Sequence, residues 1–472
     1  MQFAGPPLST IKLSHAICNM ACVMTRVTQT RHLINCYYCE LHSFNGVDSI
    51  DNADGYMKIF KWSLLVVLVL ATGLLWGNHE RLSRLYAAVT LFEVDKITGH
   101  FLNMNQTFNS REVQRSGEVF PLPYAEQQIE LPERFDFEGE PLAVSDFLDS
   151  TGTNGLLILQ DDEIRFERYF QGHNAQQRHI SWSMAKSFTS ALLGVAVEEG
   201  HINSIEQPVT DYVPILKGSG YDGVSIKDVM QMSSGVEFNE DYGDFYSDIN
   251  RMGRIFAMNG PLDEFVASLA RGREPGTLNH YVSMDTQVLG MVLVAATQRS
   301  VTDYMEEKLW SKLGVEQNAY WLVDSKGMEM VFGGLNVTLR DYARFGRLYL
   351  NLGQWNGEQI VPRQWVLDSW TMDAPHLLPK AKNKEIGLGW GYGYQWWIPQ
   401  EGEYMAVGVY NQFIYIKPDQ NLVIVKNSAN PDYTKPQNLS NDQSLMFFRT
   451  LAQQLKDSQA DSLDVATRAE TP

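Results

Sequence analysis

Hydrophobic and polar positions are densest and most regular between about residues 135 and 456. Residues 155–160 (GLLILQ) and 163–170 (EIRFERYF) read as two strands around an Asp161-Asp162 turn. Residues 183–199 read as a helix, with Ala185, Phe188, Leu192, Leu193 and Ala196 at helical spacing and Gly200 where a C-terminal cap belongs. Helices are also expected over 285–299, 301–313 and 340–352. Residues 392–398, 412–416 and 422–427 are rich in aromatic and β-branched side chains and read as strands. Residues 438–456 read as a closing helix. Strands near both ends with helices between them predict an α/β (α+β) architecture. One sheet is completed by both ends of the chain, with a mainly helical region inserted. Residues 79–134 are polar and irregular and read as an extension that wraps or tethers the domain, and 457–472 read as a loose tail. No internal repeat is visible.

One long apolar run interrupts this texture, residues 62–76 (WSLLVVLVLATGLLW), with Lys58 and Lys61 in front. A membrane span needs about 20 residues, and extension to 59 or 77 brings the run close. It equally fits a signal-peptide core of roughly 7–15 residues behind a basic start. No small-residue cleavage site follows it, and no cysteine that would take a lipid. A signal or anchor starts near an initiator methionine, so Met57-Lys58-Ile59-Phe60-Lys61 predicts that residues 1–56 lie outside the working protein. The rival reading is a metal knuckle from Cys18, Cys22, Cys36 and Cys39, with His15, His32 and His42 nearby.

Composition narrows the choices. The chain has 472 residues with 38 basic and 56 acidic side chains, a net charge of −18. That balance argues against nucleic acid, whose phosphates call for clustered Lys and Arg. Hydrophobic residues at 44% and charged ones at 20% are an ordinary globular mixture. All four cysteines precede residue 40, so the main body carries no disulfide framework and no thiol nucleophile.

The candidate chemistry begins with Ser183-Met184-Ala185-Lys186. Gly-x-Ser-x-Gly, His-Glu-x-x-His and Gly-x-x-x-x-Gly-Lys signatures are absent from the sequence. Ser-x-x-Lys puts two side chains on one helical face, one turn apart. A lysine buried beside the positive end of a helix dipole has reason to lose its proton and act as the serine's base. The serine's own N–H at that terminus suits an oxyanion hole. The motif alone is weak, since Ser9-Thr10-Ile11-Lys12 is a chance copy, but only Ser183 opens an apolar helix. Tyr281 follows 281 − 183 = 98 residues later in Tyr281-Val282-Ser283, just before a helix. Its pKa near 10 must fall, or be shared with the lysine, for it to relay protons near neutrality.

These residues, with Pro275-Gly276-Thr277, Leu289-Gly290, Gly333-Gly334-Leu335 and Arg340-Asp341-Tyr342-Ala343-Arg344-Phe345-Gly346, resemble the serine β-lactamase and penicillin-binding-protein superfamily. The likeness is to class C β-lactamase-related hydrolases, including esterases and 6-aminohexanoate-dimer hydrolases, over roughly residues 135–456. It implies a β-lactamase/transpeptidase-like fold. It also implies Ser183 as acylated nucleophile, Lys186 as base and Tyr281 as general acid/base, with no metal or cofactor. Ser283 stands where the family often has Asn. The family's Lys/His-Ser/Thr-Gly strand has only Ala406-Val407-Gly408 as counterpart, with a backbone N–H near Asn411 and Gln412 to complete the oxyanion hole. Loss of that basic residue favours an ester or amide without the β-lactam carboxylate. The segment from Glu240 to Tyr246 resembles a substrate-capping loop, with Tyr242 as the cap.

The expected function is therefore a membrane-tethered or exported serine hydrolase acting on a small-molecule ester or amide. A penicillin-recognising enzyme and a catalytically weak membrane-anchored binding protein are the alternatives, and oligomeric state is left open. His280 reads as a structural hydrogen-bonder. Trp390, Tyr392, Tyr394, Trp396 and Trp397 read equally as pocket lining or as core.

Overall fold

A computed structural model describes residues 52–380 and 388–469. The chain falls into two compact units, Met1–Asn78 and His79–Pro472. The cysteine cluster of the metal-knuckle reading lies outside the described residues. In the first unit, helix α1 (Asn52–Gly77) contains an 18-residue stretch, Phe60–Gly77, long and apolar enough to cross a membrane, with none of it buried.

The second unit holds two sheets. Its described elements in chain order include helix α2 (His79–Thr90), strands β1 (Ser110–Val113), β2 (Thr153–Gln160), β3 (Glu163–Tyr169) and β4 (His179–Ile180), and helices α3 (Ala185–Glu198) and α4 (Ser283–Thr297). There follow β5 (Ala319–Leu322), β6 (Leu335–Val337), α5 (Leu339–Leu350), β7 (Gly391–Tyr392), β8 (Trp397–Gln400), β9 (Glu403–Gly408), β10 (Gln412–Lys417), β11 (Leu422–Ser428) and α6 (Ser440–Ala469). The main sheet has seven antiparallel strands in the order β7-β8-β9-β10-β11-β2-β3, so the C-terminal strands close on the early hairpin. The smaller sheet has the order β1-β5-β6-β4.

Strands β2 and β11 read as unbroken apolar runs because both sheet faces are covered. Alternation then sorts their side chains. Leu157, Leu159, Ile414, Ile416, Val423 and Val425 pack with Phe345 and Leu348 of α5 and Phe188 of α3. Leu156, Ile158, Phe413, Tyr415, Leu422 and Ile424 pack with Phe447, Phe448, Leu451 and Leu455 of α6. Gly346 lets α5 approach the sheet, since a Cβ there would lie 2.6 Å from Val423.

Four expectations change. Residues 79–134 do more than wrap: β1 is an edge strand paired with β5. The helix expected over 301–313 is a short α-helix, Val301–Met305, running into a π-helical turn, Glu306–Trp310. The strand expected over 392–398 is two strands, because the chain reverses at Gln395 (φ 62°). The Gln395 side chain leaves the sheet to donate to the Met230 carbonyl and accept from Thr286, bonds invisible to local patterning. Finally, α6 runs through the expected tail to Ala469, since no Pro or Gly breaks it after Lys456.

Candidate active site

Ser183 lies in a 3₁₀ turn, Trp182–Met184, at the head of α3. The turn is fixed from several sides. Ser181 N–H donates to the Leu335 carbonyl (2.8 Å), extending the β4–β6 pairing. Trp182 takes a left-handed conformation (φ 43°) and sits in an aromatic cluster with Phe92, Phe101 and Tyr410, at 5.4–6.1 Å between ring centroids. Gly408, at the end of β9, backs onto the turn: a Cβ there would lie 2.4 Å from the Ser181 carbonyl oxygen.

The Arg340–Gly346 segment explains itself as a clamp around this turn. The Thr338 hydroxyl donates to Asp341 Oδ2 (2.8 Å) and accepts from the Asp341 N–H (3.3 Å), capping α5. Arg340 reaches Glu167 of β3 through two bonds of 2.8 Å. Arg344, fully buried, pairs with Asp341 and Glu316, each at 2.9 Å. Tyr342 donates to the His179 carbonyl (2.8 Å), and Phe345 stacks on Phe188 at 3.6 Å. The strand entering Ser183 and the helix leaving it are thus held by one helix.

Lys186 is 1% exposed, one turn along α3. Its Nζ donates to Ser183 Oγ (3.1 Å), Ser283 Oγ (3.2 Å) and the Phe332 carbonyl (2.8 Å). Phe332 precedes Gly333-Gly334, and Gly333 lies beside the Trp182 backbone. Burial drives the Lys186 ammonium down from its ordinary 10.5 to about 7, although Glu240 and Asp285 oppose this. Tyr281, just before α4, is 6% exposed, with its hydroxyl near the Ser183 side chain. Its ring stacks on Trp397 (5.5 Å, 22°), and Lys186 Nζ lies 5.2 Å from its centroid. Burial, then Glu240, pushes the Tyr281 hydroxyl well above 10. The sequence left two routes open, a lowered tyrosine pKa or a proton shared with the lysine; the first does not occur, since the lysine falls and the tyrosine rises.

The fold brings Ser183, Lys186, Tyr281 and Ser283 together. Tyr242 joins them indirectly, donating to Glu240 Oε1 (2.6 Å). Asn411 and Gln412 are fully buried, and their side chains are spent on structural hydrogen bonds. Asn411 donates to Ser440 (2.9 Å) and Asn441 (3.1 Å), and Gln412 to the carbonyls of Val409, Tyr410 and Ser428. His280 bonds the Phe238 carbonyl (3.0 Å). Trp396 and Tyr394 are core, against Tyr349 and Trp365, whereas Trp397 and Tyr392 pack around Tyr281.

Sequence reasoning missed Glu240 and Asp285. Glu240 is 0% exposed, and its carboxylate accepts from Ser283 Oγ (2.5 Å) and Ser283 N–H (2.9 Å). Asp285 accepts from Tyr221 (2.9 Å) and Ser234 (2.8 Å), and burial raises it to about 8. The only linear signal was the position of Glu240 two residues before Tyr242. Among the described residues no cluster of His, Cys, Asp and Glu suits a metal ion.

A family model described as Beta-lactamase matches residues 143–442. The chain belongs to the beta-lactamase family. It is a serine hydrolase of that family, with the β-lactamase/transpeptidase-like fold expected from its motifs. A 6-aminohexanoate-dimer hydrolase of Paenarthrobacter ureafaciens is 31% identical over 294 residues, 60% of this chain and 74% of that protein. A solved structure from Bacillus anthracis, described as a candidate 6-aminohexanoate-dimer hydrolase, is 25% identical with a TM-score of 0.68, covering 78% of this chain and 96% of that one.

Proposed function

We propose that this beta-lactamase-family hydrolase cleaves a small-molecule ester or linear amide through an acyl-enzyme on Ser183. The observation that carries the reading is a buried Lys186 amine, 3.1 Å from Ser183 Oγ, whose proton is held only to about pH 7. Neutral Lys186 takes the serine proton as Ser183 Oγ bonds to the carbonyl carbon. Tyr281, protonated at working pH, gives a proton to the leaving group, and water then releases the acid by the reverse relay. The names of the two relatives above point to a linear amide as substrate class. Ala406-Val407-Gly408 offers no cation to a β-lactam carboxylate, which supports the ester or amide over a penicillin-type substrate. The apolar stretch Phe60–Gly77 supports a membrane-tethered or exported chain with its hydrolase domain, about residues 135–456, outside the cytoplasm.

A fluorophosphonate probe tests the nucleophile. Labelling and esterase activity are expected to vanish in Ser183→Ala, and full labelling of that variant would refute the assignment. A panel of short esters, linear oligoamides and a chromogenic cephalosporin tests the substrate class, with turnover expected for the first two.

A further inference from the structure

The Ser183–Lys186–Tyr281 reading leaves Glu240 without a task, yet a line of hydrogen bonds runs from the nucleophile to its carboxylate. Ser183 Oγ meets Lys186 Nζ at 3.1 Å, Lys186 Nζ meets Ser283 Oγ at 3.2 Å, and Ser283 Oγ meets Glu240 Oε1 at 2.5 Å. The carboxylate is held in place by the Ser283 N–H on Oε2 (2.9 Å) and the Tyr242 hydroxyl on Oε1 (2.6 Å). Lys186, Ser283 and Glu240 are each 0–1% exposed, so this line is shielded from water.

The inventory of protons gives the line a direction. An ionised carboxylate only accepts, and a serine hydroxyl has one proton to give. Ser283 donates its hydroxyl hydrogen bond to Glu240, so it presents only lone pairs to Lys186. A neutral lysine amine has two N–H bonds and one lone pair. One N–H goes to Ser283 Oγ and the other to the Phe332 carbonyl at 2.8 Å. The lone pair is then left facing the Ser183 hydroxyl.

We propose that Glu240 is a positioning residue: by accepting the Ser283 hydroxyl's hydrogen bond it aims the Lys186 lone pair at Ser183, and its charge balances the ammonium formed on acylation. The proposal rests on Lys186 being the base. In the step itself the Ser183 proton moves to Lys186 Nζ, the Oγ–carbon bond forms, and the carbonyl electron pair moves to oxygen. Glu240 neither gains nor loses a proton. The other ionisable groups around this line are Asp285 and Tyr281 from the α4 region, Tyr221, Tyr242 and Tyr433. The tyrosines are neutral. Asp285, raised to about 8 by burial, is largely protonated at pH 7. Burial raises the Glu240 carboxyl as well, opposed by Lys186 and by the donors from Ser283 and Tyr242. Those three donated hydrogen bonds leave it only accepting, and make it the carboxylate available to balance the ammonium.

The test uses the full chain and a p-nitrophenyl ester. Glu240→Gln keeps the shape but removes the charge and puts an N–H donor in place of one of the two accepting oxygens. It is expected to lower kcat by about 10²-fold with KM little changed. The acid limb of kcat/KM is expected to move down by about one pH unit, since nothing then holds the proton on Lys186. Ser283→Ala should lose as much as Glu240→Gln, and the double variant no more than either. Glu240→Asp should recover part of the rate. A Glu240→Gln variant with the parental kcat and acid limb overturns the proposal, as do losses that multiply in the double variant. If Glu240→Gln does not fold, kcat is read in Ser283→Ala, which also leaves the Lys186 lone pair unaimed, and a parental kcat there overturns the proposal. Full activity in Lys186→Ala would instead remove the underlying base assignment, so the two failures are told apart.

Discussion

At Lys186 and Tyr281, burial acts with opposite sign on the two charge types. It disfavours the ammonium and the phenolate alike, which in the proposed mechanism suits the lysine as base and the tyrosine as proton carrier. A base works above its pKa, so kcat/KM for an ester is expected to rise through about pH 7. No second decline is expected below pH 10, because Tyr281 titrates above that. A pH–rate profile that falls as pH rises through 7 would count against Lys186 as base. A second buried lysine acts on stability instead. Lys426 is 0% exposed, and its Nζ donates to Thr151 (3.1 Å) and Ser428 (2.6 Å). Burial lowers it from 10.5 to about 7. The unfolded chain then binds the extra proton between about pH 7 and 10.5, so this group's penalty is full below 7 and fades as pH rises. Lys426→Met is expected to raise the urea midpoint at pH 7 and to flatten its climb toward pH 10. An unchanged slope would show that Lys426 carries no such penalty. Lys186, lowered for the same reason, supplies the slope that remains.

At the scale of elements, α5 ties sheet to site. Its buried Asp341 and Arg344 are both 0% exposed and pair at 2.9 Å. Removing Asp341 leaves the buried Arg344 guanidinium with only half of its carboxylate pairing, through Glu316. Asp341→Ala is expected to cost about 3–5 kcal/mol in urea unfolding. The cost of a surface pair, under about 1 kcal/mol, would contradict the clamp. This helix was legible in sequence because Leu339, Tyr342, Ala343 and Leu348 recur at helical spacing over a polar background. The β7–β8 reversal was not. Residues 392–398 have a strand's composition, and the turn closed by the Gly393 N–H on the Trp396 carbonyl (2.9 Å) is braced by bonds from Gln395 to the Met230 carbonyl and Thr286, far away in sequence.

At the scale of the molecule, the chain joins an apolar N-terminal helix to a serine hydrolase unit. None of the Phe60–Gly77 stretch is buried. The full chain is expected to co-float with liposomes, whereas a chain beginning at His79 stays in the aqueous fraction with its esterase activity intact. Co-flotation of the shorter chain would place membrane affinity elsewhere. The segment before residue 135 adds edge strand β1 and the Phe92 ring, which stacks on Tyr410 at 4.9 Å. Further shortening past Phe92 is therefore expected to lower activity.

The Ser183–Lys186 pair, the strands that alternate or run apolar and the helices that repeat are legible along the chain, because each depends on spacing within a few residues. The sequence also pointed to Tyr281, because a second motif stands at a recognisable distance before a helix. Only the tertiary structure selected Glu240 from the acidic run of Glu237, Glu240, Asp241 and Asp244. It alone set the proton affinities of Lys186 and Tyr281. Desolvation and hydrogen-bond direction depend on which distant residues surround a group. For Lys186 these are Phe332, Ser283 and Glu240, each nearly a turn of the whole fold away in sequence but within one buried line in space.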